Sequence, residues 1–423
     1  MVTTRFSSWG PCLAAAAARA AAATAAILAF GTLFLAGCGS VGAGADAGAT
    51  GRSTGAREAA VPGVSIRPGE RIRGVSFSAP RREMPPDALQ PAASAAADWV
   101  AVIPYAFVDP ADPRVAFDRE RQFWGETVPG VAKTIEYARA SGLSVLLKPH
   151  LWVRGQGWPG EFEPRTDEQW ETFLSGYRDY ILRFAEVADS MDVEMMSVGT
   201  EVDLVALARP DYWRALIAEV RAIYGGRLTY AANWDKYQLI EFWDALDLVG
   251  VDAYFPLTDD PTPTVEALVE AWRPWSDELR DVARVTGKPI LFAEYGYRSV
   301  DGAAGRQWEL PEGRRARGLP SNGAAQAAAY EALFRVWWDR SWFAGGFAWK
   351  WYAGSPAGDW IATDYSPQGK AAETVMASWY GGDASAGRPP AMPIPIGGGA
   401  AGSTGTATAR GPAPSPSGER PGT

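Results

Sequence analysis

Val-Glu-Met-Met-Ser-Val-Gly-Thr-Glu occupies residues 193–201 of the chain, and Pro-Ile-Leu-Phe-Ala-Glu-Tyr-Gly-Tyr occupies residues 289–297. Each stretch is a short, mostly apolar run that stops at a glutamate, Glu201 in the first and Glu294 in the second. Short apolar runs of this kind are typical of buried β-strands. Both stretches are therefore predicted to be core strands with an acidic side chain at the end.

Similar runs lie on either side of these two, and helical patterns separate most of them. The eight strand candidates are Arg73–Phe77, Trp99–Phe107, Leu143–Pro149, Val193–Gly199, Leu228–Ala232, Leu246–Val251, Pro289–Ala293 and Gly345–Trp349. Apolar residues three and four apart predict helices at Trp170–Val187, Val265–Val285 and Ala324–Trp338. Eight strands that alternate with helices predict an α/β fold, a parallel sheet closed into a single (β/α)8 (TIM) barrel.

The alternative fold is an open, doubly wound sheet. No glycine-rich phosphate loop follows the first strand, which argues against that alternative. The fifth unit of the barrel is the weakest, because Lys236–Trp243 leaves little room for a helix.

Residues 1–37 are predicted to be a lipoprotein signal peptide. Arg5 supplies a short positive region, an Ala-rich apolar run follows at Ala20–Ala36, and Leu35-Ala36-Gly37-Cys38 resembles the lipobox of bacterial lipoproteins. That resemblance implies cleavage before Cys38 and attachment of a lipid to its sulfur. The alternative is an uncleaved anchor helix, although the apolar run is shorter than the ~20 residues of a membrane span. Either way we expect an exported protein anchored to the bacterial cell envelope.

Composition sets the limits of the folded domain. Residues 38–70 are rich in Gly, Ala, Ser and Thr, and residues 383–423 contain Pro-Ile-Pro-Ile followed by Gly, Ser and Thr. Such segments bury too little apolar surface to offset the entropy of ordering, so a flexible N-terminal tether and a disordered C-terminal tail are predicted. The barrel is then expected at residues 71–382.

Composition also excludes several classes of function. The net charge is −9 and no long basic run occurs, which argues against a nucleic-acid surface. Both cysteines, Cys12 and Cys38, precede the predicted barrel, and His150 is the single histidine. A disulfide, a cysteine metal site or a histidine-rich metal centre is therefore not expected, and neither is a cofactor. The 19 tryptophans either fill an aromatic core or line a groove. We expect a monomer.

In a (β/α)8 barrel the active site forms at the C-terminal ends of the strands. The predicted strands stop at polar or aromatic residues, which are Ser76-Phe77-Ser78, Pro104-Tyr105, Lys148-Pro149-His150-Leu151-Trp152, Thr200-Glu201, Asn233-Trp234-Asp235, Asp252-Ala253-Tyr254-Phe255, Glu294-Tyr295-Gly296-Tyr297 and Trp349-Lys350-Trp351-Tyr352. A barrel with only a structural role has no need of charge at the end of strand after strand. The pattern predicts a substrate cleft.

Glu201 and Glu294 are the candidate catalytic pair. If both carboxyl groups point over the barrel mouth, repulsion and partial desolvation favour one protonated and one ionised group. Cleavage of a glycosidic bond needs that division, an acid for the leaving oxygen and a carboxylate on the other side of the sugar. The alternative for each glutamate is a rim carboxylate in a salt bridge with Lys148, Lys350 or Arg298.

This arrangement resembles clan A of the glycoside hydrolases, in which strand four ends in the acid/base glutamate and strand seven in the nucleophile. Several strings are similar to those of the family 113 β-mannanases, namely Gly74-Val75-Ser76-Phe77, Lys148-Pro149-His150, Gly199-Thr200-Glu201, Asp252-Ala253-Tyr254-Phe255-Pro256-Leu257, Glu294-Tyr295-Gly296-Tyr297-Arg298-Ser299 and Trp349-Lys350-Trp351. The strings occur in order, at strand ends, over nearly all of residues 71–382.

The resemblance implies a retaining β-mannanase with Glu201 as general acid/base and Glu294 as the nucleophile that forms a glycosyl-enzyme ester. Carboxyl groups in such pairs lie about 5–5.5 Å apart. Most of clan A has Asn before the acid/base glutamate, where it contacts the sugar 2-hydroxyl, but this chain has Thr200. Family 113 shares that departure, and Asn233 is the candidate to replace the missing contact.

The remaining strand-end residues are candidates for substrate binding. His150 would bind a sugar hydroxyl or position an acid, the alternative being a structural role, and Tyr254 and Tyr295 are candidates to orient Glu294. An indole, Trp349 or Trp351, would stack on the sugar at the cleavage site, because pyranose C–H faces are apolar. Other rings extend this platform unless they belong to the core, namely Trp152, Trp158, Trp234, Trp308 and Trp360. The predicted binding residues are Lys148, His150, Trp152, Asn233, Trp234, Tyr254, Tyr295, Trp349, Lys350 and Trp351. The insertion Ser299–Asn322 is expected to form a long loop over the cleft.

Three functions remain open at this point. The first is hydrolysis of β-1,4-mannan or its oligosaccharides, and the second is the same chemistry on another β-glycan. Mannose and glucose differ in one axial hydroxyl, so the sequence separates these two poorly. The third is a catalytically silent lipoprotein that only binds carbohydrate. A binder has no use for paired glutamates, which favours an enzyme.

Overall fold

A computed structural model of the chain describes residues 61–311, 318–356 and 358–382. The predicted signal peptide, the lipidation site Cys38 and the predicted tail lie outside the described residues. The strands are β1 (Ile72–Phe77), β2 (Trp99–Val102), β3 (Tyr105–Asp109), β4 (Asp112–Ala116), β5 (Ser144–Leu147), β6 (His150–Val153), β7 (Met195–Thr200), β8 (Arg227–Asn233), β9 (Val249–Asp252), β10 (Ile290–Tyr295) and β11 (Phe343–Trp351). The helices are α1 (Gln90–Ser94), α2 (Val128–Ala140), α3 (Asp167–Ser190), α4 (Asp203–Ala208), α5 (Pro210–Ile223), α6 (Val265–Ala271), α7 (Arg273–Thr286), α8 (Gly323–Trp337) and α9 (Ala371–Gly381).

Eight of these strands close into a barrel in the order β1, β2, β5, β7, β8, β9, β10, β11. Every neighbouring pair is parallel. Helices lie between most successive strands, which confirms the predicted (β/α)8 barrel. Between β8 and β9 the described chain has two short 3₁₀ turns, Tyr237–Leu239 and Trp243–Ala245, where the sequence left little room for a helix.

Successive strand residues point alternately into the barrel and toward the surrounding helices, so two separate cores form. The inner core contains Ile72, Ala101, Ile103, Leu146, Met195, Ala231, Leu248, Leu291, Ala293, Ala344 and Phe347. A larger outer core packs the other strand face against the helices. Gly74 makes room for the inner core, because a Cβ atom there would lie 2.3 Å from the Phe347 ring.

The predicted strand Trp99–Phe107 is two strands. β2 belongs to the barrel, whereas β3 pairs in parallel with β6 and antiparallel with β4 in a separate three-stranded sheet. Pro104 lies between β2 and β3 and has no amide hydrogen for a strand ladder. Since β3 and β6 directly follow barrel strands β2 and β5, this sheet extends one wall of the barrel beyond its C-terminal end.

Other differences from the sequence prediction are local. The predicted helix Val265–Val285 is divided into α6 and α7 at Trp272, where proline occupies the first turn of α7. Residues 61–70, assigned from composition to the tether, pack against the barrel. Val61 and Val64 are buried, and the Ile66 amide donates to the Ser341 carbonyl at 2.6 Å. In the described ranges, every helix is too short or too polar to cross a membrane.

Candidate active site

Lys148 joins the ends of three barrel strands. It follows β5, and its ammonium lies 2.6 Å from Glu294 Oε1 on β10 and 3.1 Å from Asp252 Oδ1 on β9. The same nitrogen donates to the Ala293 carbonyl at 3.3 Å. Glu294 and Asp252 are register partners on adjacent strands, and all three side chains are buried. A single cation is thus held between two carboxyl groups at the barrel mouth.

The charged groups of this cluster shift the pKa values of Lys148 and Asp252. Burial alone would lower the pKa of Lys148, but Asp252 and Glu294 outweigh burial and raise it, so the ammonium stays charged. Burial, and then the charge of Glu294, raise the pKa of Asp252 well above its ordinary value. Asp252 Oδ2 is buried and has no hydrogen-bond partner among the described residues. The contact of Lys148 with Glu294 is short, as is typical of a charge-assisted hydrogen bond.

Two further side chains contact Glu294. The Tyr254 hydroxyl donates to Oε2 at 2.6 Å. Burial and the neighbouring Glu294 raise the pKa of Tyr254 well above its ordinary value, so the phenol keeps its proton and remains a donor. His150 Nε2 lies 3.5 Å from Oε1. Burial and the charge of Lys148 lower the pKa of His150, so the imidazole is neutral. Lys148 on Oε1 and Tyr254 on Oε2 thus give each oxygen of Glu294 a hydrogen-bond donor, and His150 Nε2 is a close neighbour without a hydrogen bond among the described residues.

Glu201 lies in different surroundings. It follows β7 with a left-handed backbone (φ 49°), and its amide donates to the Ala231 carbonyl at 2.8 Å. Its Oε2 accepts a hydrogen bond from the Trp158 indole at 2.7 Å. Burial, and then the carboxylates Asp252 and Glu294, raise the pKa of Glu201 well above its ordinary value. The two carboxyl groups thus differ in surroundings, since the pKa of Glu201 is raised whereas Glu294 accepts a hydrogen bond from a lysine ammonium.

Several of the tryptophans predicted to form a sugar platform are partly or largely exposed. Trp349 on β11 is partly exposed and lies parallel to the His150 ring, with 6.1 Å between centroids and 5° between planes. Trp234 stacks on Trp308 at 5.5 Å and 19°. The exposed tryptophans of the described chain are Trp152, Trp158, Trp308 and Trp360. All four are among the platform candidates of the sequence, and a contact with substrate stays a prediction for each.

Lys350 and Asn233 lie at strand ends but make mainly local contacts. Lys350 Nζ is 3.9 Å from Asp364 Oδ2 and 5.9 Å from the centre of the Trp349 ring. Asn233 is the register partner of Asp252, and its Oδ1 accepts the amide of Trp234 at 2.7 Å. Direct contacts of either residue with substrate remain predictions.

Two predicted binding residues lie away from the mouth, in the outer core. The Tyr295 hydroxyl pairs with the Tyr380 hydroxyl at 2.5 Å, because the residue after Glu294 must face the opposite side of β10. Trp351 is buried in the same outer core. A bulge causes this, since Ser76 pairs with Trp349 but the next residue of β1 pairs with Trp351. The extra residue reverses the alternation, so Trp349 and Trp351 face opposite sides.

Two contacts of the site were missed in the sequence. The sequence pattern assigns no role to Asp252, yet this carboxyl group is a partner of Lys148. Its position two residues after Gly250, on the inner face of β9, was the available signal. Trp158 was considered only as a stacking ring, and its hydrogen bond to Glu201 depends on a turn that the sequence pattern does not specify.

Comparison with known proteins is consistent with this geometry. Residues 81–370 match the profile of Glycoside Hydrolase Family 113. The chain belongs to this family. It is therefore a glycoside hydrolase, and its substrates are polysaccharides or oligosaccharides.

Solved structures of family 113 resemble the chain over most of the described region. One is a β-mannanase from Alicyclobacillus acidocaldarius in complex with ManMIm, at 29% identity and a TM-score of 0.64, covering 74% of this chain and 97% of that one. Another, a complex of a family 113 β-1,4-mannanase, has 26% identity and a TM-score of 0.62, covering 74% and 99%. No curated protein matched the chain.

Proposed function

We propose that this family 113 enzyme is a retaining β-mannanase that hydrolyses β-1,4-linked mannan or mannooligosaccharides by double displacement. Glu294 is the nucleophile and Glu201 is the general acid/base. The observation that carries the proposal is the unequal environment of the two carboxyl groups. Glu294 accepts hydrogen bonds from Lys148 and Tyr254, whereas burial and neighbouring carboxylates raise the pKa of Glu201.

In the first step, a Glu294 oxygen attacks the anomeric carbon as the glycosidic bond breaks, and Glu201 gives its proton to the leaving oxygen. The ester neutralises Glu294. One of the negative charges that raise the pKa of Glu201 then disappears, so Glu201 becomes a stronger acid and is left ionised. In the second step Glu201 takes a proton from water, and the hydroxide displaces Glu294 from the sugar. The charge cluster therefore supports both roles of Glu201.

Mannan is the proposed substrate because two family 113 structures with 29% and 26% identity are of β-mannanases. The exposed face of Trp349 is suited to stack on the sugar at the cleavage site. Beside it, His150 Nε2 is buried without a hydrogen-bond partner among the described residues and is available to a sugar hydroxyl. The paired rings Trp234 and Trp308 extend the apolar platform.

We also propose that the enzyme is an exported, monomeric lipoprotein anchored to the cell envelope through Cys38. Mass spectrometry of the mature N-terminus tests this point, because a lipid-modified Cys38 is expected. Release of a Cys38→Ala variant from the membrane fraction is the matching functional result. An intact N-terminus in the membrane-bound protein would favour the uncleaved anchor instead.

The catalytic proposal is tested with purified full-length enzyme on β-1,4-mannan and mannooligosaccharides. We expect cleavage with retained anomeric configuration, read by NMR at early times. Glu294→Ala should abolish it, and azide should restore turnover as a glycosyl azide of inverted configuration. Glu266→Ala, at an exposed position on α6, is the matched control. Inverted products, or full activity of Glu294→Ala, would contradict the mechanism. If the enzyme cleaves another β-glycan and not mannan, the proposed mechanism stands and mannan is rejected as the substrate.

A further inference from the structure

Trp158 lies on a turn that is fixed to the barrel at both ends. On one side, Val153 at the end of β6 and Gly157 exchange two backbone hydrogen bonds of 2.9 and 2.7 Å. Gly155 and Gly157 have positive φ values of 82° and 83°, which let the chain reverse within so few residues. The turn thus holds the backbone immediately before Trp158.

On the other side, the Gly160 carbonyl accepts the Leu204 amide at 3.3 Å. Leu204 belongs to α4, which begins at Asp203, two residues after Glu201, so the turn and the proposed acid/base are attached to the same backbone segment. The Trp158 ring lies directly on Gly160, where a Cβ atom would come within 2.1 Å of the ring. The ring is 40% exposed, yet its direction is determined by backbone contacts on both sides.

The indole nitrogen is directed at one oxygen of Glu201. It donates to Oε2 at 2.7 Å, and Oε1 has no hydrogen-bond partner among the described residues. An indole nitrogen is a donor only, so Oε2 must accept this bond in both protonation states of the carboxyl group. In the protonated state the carbonyl oxygen of a carboxyl group is a better acceptor than its hydroxyl oxygen, so this bond favours the hydrogen on Oε1.

We propose that Trp158 is a positioning residue for Glu201, whose indole N–H occupies Oε2 and so assigns the transferable proton to Oε1. The inference rests on the proposed acid/base role of Glu201. In the first step the Oε1 proton passes to the glycosidic oxygen as the bond from that oxygen to the anomeric carbon breaks. In the second step Oε1 receives a proton from the attacking water, and the indole keeps its hydrogen throughout.

This role has a consequence for the pH dependence of the enzyme. A hydrogen bond from a neutral N–H is stronger to a carboxylate than to a carboxylic acid, so it favours the ionised form of Glu201. Four charged groups near Glu201 also affect its pKa. Asp252, Glu294 and Asp203 raise it, and Lys148 lowers it. Removing the N–H while these charges stay in place should make Glu201 hold its proton to higher pH.

Trp158→Phe tests the inference because it keeps an aromatic ring and removes the N–H. We expect the basic limb of kcat/KM on mannooligosaccharides to move up by about 0.5–1 pH unit. At the optimum, kcat/KM should fall about tenfold on mannooligosaccharides, since the acid is no longer oriented. On a dinitrophenyl mannoside, whose leaving group needs no proton, kcat/KM should change less than about threefold. Thermal unfolding checks that the variant is folded.

Two variants serve as controls for the position of the indole. Trp152→Phe replaces an indole with a phenyl ring at a side chain that is 47% exposed beside the same turn, where it packs on Gly157. It should change KM. The basic limb, and the ratio of kcat/KM on the dinitrophenyl mannoside to kcat/KM on mannooligosaccharides (the leaving-group ratio), should stay as in the native enzyme. Gly160→Ala keeps the indole but displaces the ring, and it should reproduce the shift of Trp158→Phe. An unchanged profile for Gly160→Ala, or an equal shift for Trp152→Phe, would overturn the inference.

Glu201→Gln separates this inference from the proposed function. If Glu201→Gln retains its kcat/KM on mannooligosaccharides, the acid/base assignment fails, and the role of Trp158 fails with it. Suppose that Glu201→Gln loses that activity while Trp158→Phe keeps the basic limb of kcat/KM and the leaving-group ratio of the native enzyme. The inference about Trp158 is then overturned, and the acid/base role of Glu201 stands.

Discussion

Replacing Lys148 with methionine tests the buried charge balance on which the proposed mechanism depends. Methionine keeps a long, unbranched side chain and removes the ammonium that lies 2.6 Å from Glu294 and 3.1 Å from Asp252. These two carboxyl groups are register partners on β10 and β9, and both are buried. Without the cation they would repel each other at low dielectric, and one of them would take up a proton.

The expected size of the effect follows from that burial. Removing one partner of a buried ion pair costs about 3–5 kcal/mol, because an uncompensated charge remains. We therefore expect Lys148→Met to lower the free energy of unfolding by about 3 kcal/mol at pH 8. The folded variant binds a proton that the unfolded chain has released, so its stability rises as the pH falls, and the loss should be smaller at pH 5. A loss of this size lowers the Tm by about 6 °C in a large domain.

The effect on activity has the same origin. The nucleophile must be ionised, and an opposite charge within hydrogen-bonding distance shifts a carboxyl titration by about 1–3 pH units. The acidic limb of kcat/KM should therefore move toward neutral pH by about that amount in Lys148→Met. The limb is measured on mannooligosaccharides between pH 4 and pH 8, alongside thermal unfolding at pH 5 and pH 8.

Lys133→Met provides the matched control. Lys133 lies 2.6 Å from Glu136, the same distance as in the buried pair, but these side chains are 43% and 52% exposed. Exposed pairs contribute about 0–1 kcal/mol, so this variant should keep both its Tm and its pH profile nearly unchanged. A folded Lys148→Met enzyme with its acidic limb in the native position would refute the reasoning. So would a loss of stability that is the same at both pH values.

Three further predictions concern single side chains. Tyr254→Phe removes the donor to Glu294 Oε2, and since a hydrogen bond to a charged group contributes about 1.5–3 kcal/mol, kcat should fall about 10–100-fold in steady-state assays; an unchanged kcat would show that this contact is not used. Trp351→Ala should lower the free energy of unfolding by about 3–5 kcal/mol in denaturant titrations, because the ring is buried, whereas Trp349→Ala should mainly raise KM; the opposite pattern would contradict the faces assigned to these rings. Burial raises the pKa of Glu126 to about 7, so the folded enzyme loses stability as the pH rises from about 4.5 to 7. Glu126→Gln should therefore stabilise the enzyme by about 2–3 kcal/mol at pH 8 and little at pH 4.5, and equal effects at both would exclude a buried charge as the cause.

The barrel and its candidate pair of glutamates could be predicted because both depend on local pattern. Glu201 and Glu294 directly follow apolar strands, and closure of a parallel barrel brings all C-terminal strand ends to one mouth. No long-range information was needed beyond the number and direction of the strands. The same reasoning, applied residue by residue along β10, would also have assigned Tyr295 to the outer face.

Contacts between distant residues could not be predicted in this way. The ion pair of Lys148 with Asp252 joins residues 104 positions apart, and its geometry depends on the closed barrel. The burial of Trp351 in the outer core could not be predicted, because a bulge reverses the alternation of β11 and a single inserted residue leaves no mark on an apolar run. Trp158 depends on a turn whose two ends are held by different elements. In each case the deciding interaction is tertiary.

The left-handed backbone at Glu201 places stability and chemistry in conflict at a single position. Among the described residues, Glu201 is one of four non-glycine residues with positive φ. A residue with a Cβ atom loses about 1–2 kcal/mol in this conformation, and glycine avoids that loss. Directed evolution for heat resistance alone would therefore favour glycine here and remove the proposed proton donor. A screen of this enzyme has to select for turnover and for survival at high temperature in the same round.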